Sequence, residues 1–179
     1  MKNTYYFLQL LILVLFCQCY TAPKLAGQFT AQEFDKMALQ MAEGTVPDIK
    51  PQELVELNEE IILLDARELE EYQVSHIPNA IWVGYDDFTL DRVKDLSKTA
   101  TIVTYCSVGY RSERIGEKLQ KAGFENVNNL QGSIFQWMNE GHPVVNMKAL
   151  ETDEVHGFDK KWGKWVKKGK GKVVYDGNE

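Results

Sequence analysis

The sequence predicts an α/β domain built on a short parallel sheet flanked by helices on both faces. Three observations predict it. Short apolar runs alternate with amphipathic segments through the middle of the chain, the pattern of strands joined by helical crossovers. Ile61-Ile62-Leu63-Leu64 is continuously apolar, as a strand covered on both faces should be. Thr101-Ile102-Val103-Thr104-Tyr105 is rich in β-branched residues, which suit a packed, pleated surface. With 179 residues and 44% hydrophobic content, the chain has room for one such domain plus extensions, not two.

The elements follow in order. Residues 20–29 read as a linker. From Thr30 to Glu43, Phe34, Met37, Ala38 and Met41 recur at helical spacing, with Thr30 as the cap. Pro47 breaks that pattern, Ile49 opens an edge strand, and Pro51 suits the first turn of a helix carrying Leu54, Val55 and Leu57. After the Ile61–Leu64 strand, Glu68 to Tyr72 forms a helical turn or two. Ala80–Val83 is the next strand, and Phe88, Val93 and Leu96 mark a helix. Ile115, Leu119 and Ala122 repeat at i, i+4 and i+7 in a helix that Gly123 stops. Val127–Leu130 is a brief strand, and Gly132 leads into a helix holding Ile134, Trp137 and Met138, ended by Gly141 and Pro143.

The two ends differ from this body. Phe7 to Phe16 is apolar apart from Gln9, and Lys2 precedes it. That run has the length of a secretory signal core and is too short to cross a bilayer comfortably, where about twenty residues are needed. The expected product is exported, periplasmic or held in the cell envelope. Cys17 and Cys19 close the apolar run where a lipid-modified cysteine would stand, so a lipid anchor at either is left open. Net charge is −6 with a pI near 5.2, which argues against nucleic acid as a general partner. Seven lysines crowd residues 160–172 without an acid among them, and from His156 to Lys172 the lysines are interleaved with Phe158, Trp162, Trp165 and Val166. Two readings compete: attachment to an anionic membrane surface, or aromatics packed on the domain with lysines solvated. Gly163, Gly169 and Gly171 weaken any continuous helix and favour the second. The expected division is a signal segment at 1–22, a linker and helix at 23–46, the α/β domain at 47–147 and a basic aromatic extension at 148–179.

Cysteine usage directs attention to one loop. With Cys17 and Cys19 in the leader, Cys106 is the single thiol of the folded body, so no internal disulfide framework exists. Cys106-Ser107-Val108-Gly109-Tyr110-Arg111-Ser112 lies between the clearest strand and the clearest amphipathic helix, at a strand's carboxyl end where α/β sheets bind ligands. A loop closing onto a helix N-terminus gathers backbone N–H groups that attract anions and stabilise a thiolate. Gly109 permits tight curvature, and Arg111 adds a permanent charge with a donor fork suited to an oxyanion. A buried core cysteine beside a solvated arginine is the plain alternative.

Context separates the two. Leu64-Asp65-Ala66-Arg67, Glu70-Glu71-Tyr72, Ser75-His76-Ile77-Pro78-Asn79-Ala80, Cys106 to Arg111, and Leu130-Gln131-Gly132-Ser133 with Trp137 together resemble the rhodanese family from about Ile49 to Val145. The resemblance implies a rhodanese-like α/β fold and a sulfurtransferase. Cys106 would take sulfur as a persulfide from a small anionic donor such as thiosulfate and pass it to a thiol acceptor, with no cofactor. Ser107, Val108, Gly109, Tyr110, Arg111 and Ser112 would hold the outer sulfur and the donor. Ser75 and Asn79 stand where the family commonly has glycine, and Ser107 where many active members carry arginine, leaving one fewer cation by the thiol. Related phosphatases place one more residue between cysteine and arginine, so the shorter loop suits sulfur over phosphate.

The remaining candidates are supporting ones. Asp65 and Arg67 follow a buried strand and are expected to hold neighbouring loops by hydrogen bonds. His76 precedes Ile77-Pro78 and reads as a fixed turn histidine more than a general base. His76, His142 and His156 are scattered, without metal-ligand spacing. A module that binds or senses sulfide without turnover is the competing functional class.

Overall fold

The apolar runs pair into one five-stranded parallel sheet. Its strands are β1 (Asp48–Ile49), β2 (Ile61–Asp65), β3 (Ile81–Trp82), β4 (Thr101–Tyr105) and β5 (Asn126–Leu130), in the spatial order β1-β5-β4-β2-β3. The computed structural model describes residues 29–57 and 60–176. The apolar leader, Cys17, Cys19 and nearly all of the linker lie outside the described residues. β2 and β4 pair along their whole length, from Ile61 opposite Thr101 to Asp65 opposite Tyr105. The chain runs outward from β2 to β3, crosses back to β4, then runs outward the other way to β5. The carboxyl ends of β2 and β4 therefore flank the switch point of the sheet, where such folds open a ligand crevice.

Side-chain alternation along β4 divides the core in two. Ile102 packs with Leu64, Val83, Ile115, Leu119 and Phe124. Val103 and Tyr105 pack with Phe34, Ile134, Phe135 and Trp137. Helices cover both faces because each carries one apolar stripe. α1 (Ala31–Met41) buries Phe34 and Ala38, four residues apart. Its start is set by a capping box: the Thr30 N–H donates to Glu33 Oε2 at 2.6 Å, and the Glu33 N–H donates to Thr30 Oγ1 at 3.1 Å. α2 (Pro51–Glu56) begins on proline, which has no N–H to leave orphaned. α3 (Leu69–Val74) follows β2. α4 (Tyr110–Lys121) buries Ile115 and Leu119, each stabilising by about 1.5–3 kcal/mol on transfer from water. α5 (Ser133–Glu140) buries Ile134, Phe135, Trp137 and Met138.

Two local expectations meet a different outcome or a clear answer. Phe88, Val93 and Leu96 do not form an α-helix; only a 3-10 turn at Leu90–Val93 appears. Spacings of five and three residues lay no continuous stripe on a helix of 3.6 residues per turn. Asn79 adopts φ 65°, a left-handed backbone that asparagine tolerates. Ser75, at φ −165°, is simply extended and needs no glycine.

Residues after the sheet return to the body. β6 (Val144–Val145) and β7 (Glu151–Thr152) form an antiparallel pair. β8 (Glu154–His156) and β9 (Lys172–Val174) form a parallel one, and α6 (Lys160–Gly163) lies in the crossover between them. The Trp165 ring packs at 5.1 Å from Phe29 and 6.0 Å from Phe34. Asn139 of α5 donates to the Trp165 carbonyl at 2.9 Å and accepts from the Lys167 N–H at 2.6 Å. Among the described residues, no helix is long and apolar enough to cross a membrane.

Candidate active site

Cys106 is the first residue past β4 and is 1% exposed. Gly109 takes φ 119° as the residue before α4, a conformation that a Cβ would strain. That bend turns the Gly109 N–H back onto the sulfur, 3.2 Å from Cys106 Sγ. The Cys106 N–H donates to Ser133 Oγ at 3.0 Å, and the same hydroxyl lies 3.9 Å from Sγ. Ser133 holds φ 52°, uncommon outside glycine, and its hydroxyl also donates to the Leu130 carbonyl at 3.3 Å. Burial pushes the Cys106 thiol up, yet its pKa lies below the ordinary thiol value. The Arg111 charge, the hydroxyl and N–H of Ser112 and the Gly109 N–H together outweigh burial. The Ser112 hydroxyl also lies 2.7 Å from Asn129 Oδ1 and 3.1 Å from the Gly109 carbonyl. One proton serves one acceptor at a time, so the backbone N–H groups are the constant donors to sulfur.

Arg111 is neither solvated nor free. It forms a fork with Glu71 of α3, Nη1 to Oε2 at 2.6 Å and Nη2 to Oε1 at 2.8 Å. The side chains are 13% and 3% exposed. Such bidentate charge-assisted pairs are the strong ones. Ser107 completes the triangle: its hydroxyl donates to Glu71 Oε1 at 3.1 Å and accepts from Arg111 Nη2 at 3.0 Å. Burial would raise the Glu71 pKa, but the hydrogen bonds and charge of Arg111, with the charge of Arg67, hold it below the usual carboxylate range. Burial works against the Arg111 cation too, and Glu71 and the Cys106 thiolate keep it firmly protonated. The pair thus spans the switch point, joining the helix after β2 to the helix after β4.

Asp65 and Arg67 stand one layer behind. Both side chains are 0% exposed, and Arg67 Nη2 reaches Asp65 Oδ2 and the Ser75 carbonyl at 2.6 Å each. Trp82 Nε1 donates to the Arg67 carbonyl at 2.9 Å. This cluster ties the β2, α3 and β3 junctions together. His76 lies apart from the thiol cavity. Its ring stacks on Tyr72 at 3.9 Å with Nδ1 3.1 Å from the Tyr72 carbonyl, and its backbone bridges to Val145.

Cys106, Ser107, Val108, Tyr110 and Arg111 line a cavity of about 300 Å³. Gly109 and Ser112 sit behind it, within the turn. Other walls come from distant parts of the chain: Met41 from α1, Glu68, Tyr85 and Asp86 from the β2 side, and Phe158 and Trp162 from the C-terminal extension. Sequence reasoning did not assign Met41, Glu68, Glu71, Tyr85, Asp86, Ser133, Phe158 or Trp162 to the site. Among the described residues, no group of three or more His, Cys, Asp and Glu gathers as a metal site.

Comparison with known proteins matches this arrangement. The family model for the rhodanese-like domain covers residues 50–140. A protein of Allochromatium vinosum named sulfurtransferase is 31% identical over 87 residues, covering 49% of this chain and 80% of that protein. The tRNA uridine(34) hydroxylase of Onion yellows phytoplasma is 32% identical over 120 residues, 63% of this chain. The match spans only 38% of that hydroxylase's length. The crystal structure of a rhodanese-related protein from Thermoplasma volcanium superposes with a TM-score of 0.50 at 30% identity, covering 55% of this chain and 97% of that one.

Proposed function

The chain belongs to the rhodanese-like domain family, and on that premise we propose that it is a sulfurtransferase working through a Cys106 persulfide. The carrying observation is the Cys106 sulfur, 3.2 Å from the Gly109 N–H beside the Arg111 charge, at the floor of an open cavity. A thiolate is the nucleophile in sulfur exchange, and a lowered pKa makes more of it available near neutrality. In the first half-reaction, the Cys106 thiolate attacks the sulfane sulfur of a donor such as thiosulfate or an organic persulfide. The donor's sulfur–sulfur bond breaks, its electron pair leaves with the donor remnant, and Cys106 holds the outer sulfur. In the second, an acceptor thiolate attacks that outer sulfur and restores Cys106. The turn amides stabilise the anionic persulfide as they stabilise the thiolate, and no external oxidant or reductant enters.

The test is the intact mass of the leaderless protein before and after a sulfane donor, with Cys106→Ser in parallel. A gain of one sulfur, reversed by cyanide and absent from the variant, is the expected result. No gain with thiosulfate, polysulfide or an organic persulfide would refute turnover and leave a binding or sensing module. The proposal extends to export: the apolar run Phe7–Phe16 supports delivery to the cell envelope. Fractionation of cells expressing the full chain checks it, and a wholly cytosolic product refutes it.

A further inference from the structure

The cavity constrains what carries sulfur to and from Cys106, an inference that rests on the sulfurtransferase reading. Charge is the first constraint. Among the described residues lining the cavity, Arg111 is the sole cation, and Glu68 and Asp86 bring two carboxylates to the same space. Both terminal nitrogens of Arg111 already engage the buried Glu71. A dianion such as thiosulfate would enter beside two carboxylates and meet a guanidinium whose terminal nitrogens are already paired.

The walls are the second constraint. Met41, Val108, Tyr110, Phe158 and Trp162 give the cavity an apolar and aromatic lining. The Phe158 ring stands 5.1 Å from Arg111 Cζ, over the guanidinium, further screening it from an incoming anion. Phe158 is held there at φ 63°, which a bulky residue rarely adopts. Its N–H donates to His156 Nδ1 at 3.1 Å, while the next residue, Asp159, caps α6 by accepting from the Trp162 N–H at 2.9 Å. The β8–β9 pair brackets both. Strain maintained by its surroundings and aimed at a reactive group is a functional signature. About 300 Å³ lies at the small end of small-molecule pockets, room for a ring-sized tail.

We infer that the site is built for a small organic thiol and its persulfide with an apolar, uncharged tail, with Phe158 and Trp162 as specificity-determining residues supplied by the C-terminal extension. The tail packs on the two rings while its sulfur reaches Cys106. Donation follows R–S–SH plus the Cys106 thiolate giving Cys106–S–SH plus R–S⁻. Discharge is the same exchange run to a second thiol, so sulfur, protons and electrons balance without a co-reactant.

The experiment loads the protein with inorganic polysulfide, removes the excess, verifies the persulfide by mass, and times its discharge by two thiols. One is 2-phenylethanethiol, with an apolar ring; the other is 2-mercaptoethanesulfonate, with an anionic tail. Each rate is divided by that thiol's rate toward a free small-molecule persulfide, which removes intrinsic nucleophilicity. The wild-type protein is expected to favour the aromatic thiol by at least about tenfold, the scale set by one well-filled apolar subsite. Phe158→Ala, a change at a half-exposed ring, is expected to bring the ratio most of the way toward one, Trp162→Ala likewise, and Phe158→Leu to retain most of it. Equal normalised rates in the wild type, or a ratio unmoved by both alanine variants, overturn the inference while sulfur loading still stands. Failure to load at all overturns the sulfurtransferase reading and this inference together.

Discussion

Replacing Glu71 by glutamine isolates what the buried pair contributes. Glu71→Gln keeps size and one acceptor oxygen but replaces the other with an NH2 donor and removes the negative charge opposite Arg111, whose two terminal nitrogens sit 2.6 and 2.8 Å from the carboxylate. Removing one partner of a buried pair costs about 3–5 kcal/mol because the remaining charge stays desolvated. Arg111 keeps 13% exposure and its contact with the Ser107 hydroxyl, so the lower end applies, about 3 kcal/mol. For a domain of this size that lowers the melting temperature by about 6–12 °C. The loss has a pH signature. Glu71 is depressed in the folded state, so its contribution is present above its unfolded value and disappears as pH falls through the folded one. The variant should therefore lack part of the wild-type acid sensitivity. Its second effect runs the other way from damage: an uncompensated Arg111 beside Cys106 lowers the thiol pKa further. Urea unfolding across pH and the pH profile of iodoacetamide alkylation read the two effects. A stability loss under about 0.5 kcal/mol, the range of inert surface changes, or a thiol pKa that rises in a folded variant would refute the reasoning.

Three further outcomes are expected. Because the Cys106 pKa is depressed by folding, stability should rise with pH from the folded thiol value up to the unfolded one of about 8.5; Cys106→Ser should flatten that slope, and an unchanged slope in denaturant titrations would contradict it. Gly132 has φ 66°, and a Cβ there would lie 2.6 Å from Gln136 Cβ and 2.7 Å from Phe34 Cε1. Gly132→Ala should cost more than about 1 kcal/mol and disturb Ser133, read as a melting shift with slower Cys106 alkylation. Phe34→Ala empties a site that is 1% exposed between Ile134, Phe135 and Trp165 and should cost about 3–5 kcal/mol, with early proteolysis around α1 as the accompanying sign.

What was legible in the sequence follows from periodicity and from local chemistry. The strands at Ile61–Asp65 and Thr101–Tyr105 announce themselves through apolar and β-branched runs, and the helix from Tyr110 through Ile115 and Leu119. The Cys106–Ser112 turn is equally local, since a strand, a glycine and a helix start suffice to aim amides at the sulfur. Glu71 was not legible in the same way. Glu68, Glu70 and Glu71 look alike in sequence, and only the β2–β4 pairing puts Glu71 opposite Arg111. Phe158 and Trp162 were hidden for another reason. The strands that bracket them, β8 and β9, are three residues each, too short to show alternation, and the sequence suggests aromatics packed on the domain without saying that they face Cys106. That the extension contributes walls to the cavity is a long-range property, set with the docking of Trp165 on Phe34 and Asn139.

The devices that activate Cys106 also make its reactivity conditional on folding. The Gly109 and Ser112 amides come from the local turn, but the guanidinium is held beside the sulfur by Glu71 only after β2 and β4 have paired, a contact that spans some forty residues. An unfolded copy keeps the same cysteine with an ordinary thiol pKa and little thiolate at neutral pH. A newly made or misfolded chain thus holds a smaller share of this cysteine as thiolate than the folded protein does.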